Sequence, residues 1–172
     1  AGGGGVWAAS PPIIYKNLVI VQCDIQRNSF LAAFDADTGK EVWRTQRDEI
    51  PSWSTPTIFE TGGNAELVTQ ATTFTRGYDP MTGKELWKFY NTPAEGEPGG
   101  DSWGKVPTEK RIASAWGLPG SYDPERKLLY WGISNPKPWT RWKRHGDINA
   151  VPREAPSELY SNSTVAVDIE TG

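Results

Sequence analysis

The stretch Ala33-Phe34-Asp35-Ala36-Asp37-Thr38-Gly39-Lys40-Glu41-Val42-Trp43 recurs 44 residues later as Gly77-Tyr78-Asp79-Pro80-Met81-Thr82-Gly83-Lys84-Glu85-Leu86-Trp87. A third copy, Ala166-Val167-Asp168-Ile169-Glu170-Thr171-Gly172, stops before its Lys and Trp positions. Repeats of this period mark propellers and solenoids. Each residue type has a physical task. The Asp side chain accepts hydrogen bonds from turn N–H groups, and the Gly supplies a positive φ where the chain reverses. The Trp that follows can fill the space between neighbouring sheets while its N–H finds a carbonyl.

Each copy has an upstream partner. Pro12 to Val21 reads as a hairpin turning at Lys16-Asn17. Pro56 to Phe59 and Glu66 to Thr69 flank a turn at Gly62-Gly63-Asn64. Pro119 to Tyr122 and Leu128 to Gly132 flank Asp123 to Lys127. The distance from the leading Pro to the motif Asp is 23 residues in the first two units and 49 in the third. Asp123 also lies 44 residues after Asp79. Its setting, Tyr-Asp-Pro-Glu-Arg, assigns it to a hairpin, and the matching spacing is coincidence. No segment carries a helical period long enough to compete.

The expectation is an all-β chain. It forms a partial β-propeller of about three four-stranded blades, the last incomplete, within a larger, eight-bladed ring. Blade-like units fall at about 8–44, 52–88 and 116–172, with insertions at about 89–115 and 136–160 that read as loops. Propellers typically have four to eight blades, so 1–172 is read as a fragment of one propeller domain. A complete small β-sheet protein is the alternative.

Composition narrows the function. The 172 residues carry a net charge of -3, and 18 Gly with 14 Pro suit a turn-rich chain. No basic footprint points to nucleic acid, and no apolar run approaches the roughly 20 residues of a membrane span. One Cys and one His exclude a disulfide framework, a Cys-based zinc site and a His-rich metal site. The start, AGGGGVWAAS, lacks the basic and long apolar regions of a signal peptide. Without an initiator Met it reads as a mature form or a fragment.

The repeat Ala-x-Asp-x-x-Thr-Gly-Lys-x-x-Trp resembles the tryptophan-docking motif of pyrroloquinoline quinone (PQQ) propellers, a superfamily of eight-bladed alcohol dehydrogenases and non-enzymatic scaffolds. The motif carries fold and not catalysis. Four further strings, Phe89 to Trp103, Trp116 to Pro124, Leu129 to Trp139 and Leu159 to Asp168, make residues 77–172 look like the PQQ-dependent methanol and ethanol dehydrogenases. Residues 1–76 fit PQQ-like repeats in general. Ser52-Trp53-Ser54-Thr55-Pro56 and Phe74-Thr75-Arg76-Gly77 look more like the non-enzymatic branch.

That resemblance implies roles. Trp116 matches the Trp forming the floor under the PQQ rings, and Ser114 the hydroxyl at the cofactor edge. Asn135 matches the Asn whose amide oxygen binds the active-site Ca²⁺, where the plain alternative is an Asn-Pro turn. It also implies a small primary alcohol as substrate, an electron acceptor such as a cytochrome c, and a periplasmic location. The departures are specific. The family's metal-binding Glu has no counterpart in Gln70 to Gly77, and Cys23 stands alone where the family has adjacent cysteines. The catalytic Asp falls beyond Gly172, so no catalytic residue is assigned. Arg141-Trp142-Lys143-Arg144-His145 reads as a solvated loop. Two functions stay open: a fragment of a PQQ- and calcium-dependent alcohol dehydrogenase, inactive alone, or a non-catalytic scaffold for protein–protein interaction or envelope protein assembly.

Overall fold

The structure, a computed structural model, describes residues 10–113, 119–147, 149 and 158–172. Short strands alternate with tight turns. β1 (Ile13–Tyr15), β2 (Leu18–Cys23), β3 (Phe30–Asp35) and β4 (Glu41–Gln46) form one four-stranded sheet. β5 (Thr57–Thr61), β6 (Asn64–Gln70), β7 (Phe74–Tyr78) and β8 (Glu85–Tyr90) form a second with the same order. After a two-residue strand, β9 (Ile112–Ala113), come β10 (Ser121–Asp123) and β11 (Leu128–Ile133). They form a three-stranded sheet with the last strand, β13 (Ser163–Asp168). β12 (Pro136–Lys137) pairs with β9. All pairings are antiparallel. The fold is all-β, three successive blades of a propeller.

The repeat motif forms the turn after the third strand. In the first blade Asp35 Oδ1 accepts from the Thr38 N–H at 2.8 Å and the Thr38 hydroxyl at 2.7 Å. These bonds hold the exposed Asp35 carboxyl below its usual range. Asp79 Oδ1 accepts from Met81 and Thr82 N–H, and Asp168 Oδ1 from Glu170 and Thr171 N–H. Asp123 makes the same kind of cap on Glu125 and Arg126. It does so at the β10–β11 hairpin, so its spacing from Asp79 carries no repeat meaning.

Each motif Trp docks on the turn of the next blade. Trp43 Nε1 donates to Pro80 O at 3.2 Å, beside Gly83 at φ 71. A Cβ on Gly83 would lie 2.4 Å from the Trp43 ring, so only glycine fits. Trp87 Nε1 donates to Ile169 O at 2.7 Å, and its ring lies against Gly172.

The faces alternate as strand geometry requires. Leu18 and Ile20 face Leu67 and Tyr78 between the first two blades. Phe59, Val68 and Trp87 face Leu129, Trp131 and Ile133 between the second and third. At about 25 cal/mol per Å² of apolar surface removed from water, burial at these interfaces stabilises the packing of blade on blade.

Candidate functional site

One end of this segment carries the motif turns. The other carries both insertions. Antiparallel pairing brings the ends of β2, β6, β8 and β11 together there with the linker leaving β4. Buried polar groups concentrate at this end. Arg47 donates from Nε to Asp24 Oδ1 at 2.8 Å, and both side chains are fully buried. Its Nη1 also donates to Thr69 Oγ1 and Tyr78 Oη, each at 2.8 Å. Glu49 receives the Thr73 and Phe74 N–H groups at 3.0 and 3.1 Å. Burial pushes its carboxyl up to about 7, against the pull of Arg47 and Arg76. Arg76 pairs with Asp48.

The β6–β7 turn is closed on all sides. Thr72 Oγ1 donates to Pro51 O at 2.8 Å. Asn91 Nδ2 donates to Ala71 O at 2.6 Å, and the Asn91 N–H to Thr73 O at 3.0 Å. Linkers from two blades therefore fix a turn containing no carboxylate of its own.

Asn135 follows β11 at this end and is half-buried. Its Oδ1 accepts from the Ser134 hydroxyl at 2.9 Å. Next to it, Pro136 lies opposite Ala113 in the β9–β12 ladder, and the chain enters 114–118 directly from Ala113. Ser114 and Trp116 lie outside the described residues, so of the three expected site residues only Asn135 is placed.

The insertions hold more structure than loops. Residues 100–103 and 108–110 are single 3₁₀ turns, and Arg141–His145 is a short helix, α1. The two insertions clasp each other. Glu158 N–H donates to Ser102 O at 2.9 Å, Leu159 N–H to Ser102 Oγ at 2.9 Å, and Trp103 Nε1 to Leu159 O. Glu158 Oε1 receives Arg144 Nη2 at 2.5 Å and lies 2.8 Å from His145 Nε2. The basic run is thus not a solvated loop throughout. Arg144 and His145 have buried side chains, because one carboxylate collects both, while Trp142 stays 64% exposed.

The profile of the glucose/ethanol/alcohol dehydrogenase β-propeller domain, the PQQ family, matches residues 61–172. The chain belongs to this family. Subunit 1 of the methanol dehydrogenase [cytochrome c] of Methylorubrum extorquens is 29% identical over 139 residues, which are 79% of this chain and 18% of that protein. The Paracoccus denitrificans subunit is 27% identical over the same length. The chain thus spans under a fifth of these relatives.

Among solved structures, the quinohemoprotein alcohol dehydrogenase of Pseudomonas putida superposes with a TM-score of 0.66 at 24% identity, over 94% of this chain and 25% of that one. A europium-containing methanol dehydrogenase gives 0.68 at 20%, over 94% and 30%. These two likenesses show the propeller fold alone.

The family's cofactor and metal meet a mixed donor set. Hard cations take oxygen ligands, usually including carboxylates. The Asn135 amide oxygen suits such a cage. The stretch 70–77 offers the Gln70 amide oxygen, buried without a hydrogen-bond partner, and Thr72, whose hydroxyl is committed to Pro51, but no acid. Among the described residues no cluster of three His, Cys, Asp or Glu side chains could hold a metal ion. They therefore fit the neutral part of a calcium site and not its charged part. Among the described residues no helix is long and apolar enough to cross a membrane.

Proposed function

We propose that this chain is part of the propeller of a PQQ- and calcium-dependent alcohol dehydrogenase, oxidising a primary alcohol to an aldehyde and inactive by itself. The observation that carries it is the position of Asn135. It lies at the insertion end, one residue from the β9–β12 ladder that leads into Ser114 and Trp116, within the stretch matched by the family profile. The periplasm as location and a cytochrome c as electron acceptor, the latter in the name of the methanol dehydrogenase relatives, belong to the same proposal.

In this scheme Asn135 would offer its amide oxygen to the cation, and Trp116 and Ser114 would hold the quinone. When bound, PQQ would supply the redox chemistry and the cation a Lewis acid. This chain's own residues bind and orient, and the clasped insertions limit access of water. No described residue takes the role of base.

The test is PQQ binding in the presence of calcium, followed by quenching of tryptophan fluorescence, in the chain and in Asn135→Ala. Removing a ligating oxygen should weaken retention by about tenfold or more, with the thermal midpoint unchanged. Equal affinity in the variant would remove Asn135 from the site. Absence of binding in the parent chain would leave the scaffold function as the better account. No alcohol-dependent dye reduction is expected from the chain with PQQ and calcium. Reduction above a heat-treated control would overturn the expected inactivity.

A further inference from the structure

Two glutamines share one register position. Leu18 lies opposite Asp35, and Leu67 lies opposite Tyr78, the residue before Asp79. Counted from these pairs, Gln22 and Gln70 occupy the same place in their blades. Both are 1% exposed. Gln22 Nε2 donates to Gln70 O at 3.1 Å, across to the second blade. Gln70 Nε2 donates to Gly132 O at 3.3 Å, across to the third. Leu128 lies opposite Asp168, so Gly132 holds the equivalent position and has no side chain to pass on. The series of clamps ends three residues before Asn135.

The rest of that segment is held by its own backbone. Asn162 N–H donates to Ser134 O at 3.0 Å, and Pro136 pairs with Ala113. Gln70 Nε2 adds a hydrogen bond from the neighbouring blade to this bracing. We infer that Gln70 is a positioning residue for Asn135, fixing the exit of β11 so that the Asn amide meets the ligand; this rests on the proposed cofactor function. Gln22 makes the same inter-blade bond with the same burial, and also donates to Asp24 Oδ2 at 2.7 Å and Ser52 Oγ at 3.3 Å, but the strand that Gln22 clamps leads three residues on to Thr73, where β11 leads to Asn135. It is therefore a built-in control.

The experiment compares Gln70→Met with Gln22→Met in the full chain. Methionine keeps nearly the same length and removes the donor. The first readout needs no ligand: hydrogen exchange of the Asn162 N–H and the NMR position of the Asn135 side-chain amide. Gln70→Met should speed that exchange and shift that amide, and Gln22→Met should change neither. The second is titration with PQQ and calcium. One lost hydrogen bond should weaken binding roughly fivefold in Gln70→Met and leave Gln22→Met at the parent value. Similar responses of the two variants in either readout would overturn the inference while leaving the cofactor function intact. A parent chain that takes up no PQQ overturns the cofactor function and the inference with it, whatever the exchange rates.

Discussion

The two interfaces between blades are built on the same repeat but held in different ways. Between the first and second, an apolar lower half around Ile20, Leu67 and Tyr78 gives way to a buried ionic upper half of Asp24, Arg47, Glu49 and Arg76. Between the second and third, the contact is apolar nearly throughout, with Trp87, Trp131 and Ile133 at its centre. The difference teaches what the repeat specifies. Strand order and tryptophan docking recur, while the chemistry between the sheets is free to change. Buried ion pairs hold a defined geometry but recover little net energy against their desolvation, whereas apolar burial scales with area.

The largest expected effect falls on the ionic side. Arg47→Ala leaves the Asp24 carboxylate buried with only the neutral Gln22 amide and Ser52 hydroxyl and should cost about 3–5 kcal/mol, read from urea unfolding. A loss below about 1 kcal/mol, the scale of exposed pairs, would mean that water reaches this cluster. Next comes a paired test of tryptophan docking. Gly39 and Gly83 have φ values of 69 and 71, but a Cβ on Gly39 meets nothing within 4 Å. Gly39→Ala should therefore cost only the left-handed backbone, about 1–2 kcal/mol. Gly83→Ala should lose roughly 1–3 kcal/mol more through overpacking against Trp43. Equal losses would show that the ring moves aside freely.

The ionic interface should also titrate. Burial raises the Glu49 carboxyl from 4.5 to about 7, so the folded chain holds this proton more tightly than the unfolded one. Its contribution to stability is full below about pH 4.5 and is lost as pH rises through about 7. Glu49→Gln should flatten that part of the stability–pH curve. A parent contribution rising with pH would instead show that Arg47 and Arg76 outweigh burial. The apolar interface should show the smallest effect, about 0.5–1.5 kcal/mol for Ile133→Val, with no pH dependence of the difference.

The motif made much of this legible. The Asp-x-x-Thr-Gly turn, the tryptophans at blade interfaces and the hairpin assignment of Asp123 all follow from local chemistry written at fixed offsets. The glutamine clamps were hidden because Gln22 and Gln70 lie 48 residues apart, off the 44-residue period, as unequal turns shift the strands. Aligning residues by strand pairing would have exposed them. Glu158 was hidden for a different reason. Its partners Ser102, Arg144 and His145 come from two insertions with no repeat to relate them. For Asn135 the sequence supplied the residue, and the ladder beside it supplied the place.

The tryptophan docking also has a direction. A blade gives its indole to the turn of the next and never to the one before, so donor and acceptor surfaces differ. Such a heterologous contact is head-to-tail, and it either closes on itself as a ring or continues without limit, according to the rotation each step adds. In the first blade the turn at Asp35–Gly39 has its loop formed and capped, yet among the described residues no ring lies over Gly39. A blade docking on that side as the second docks on the first would bring an indole whose N–H reaches the Ala36 carbonyl, the counterpart of Pro80 O.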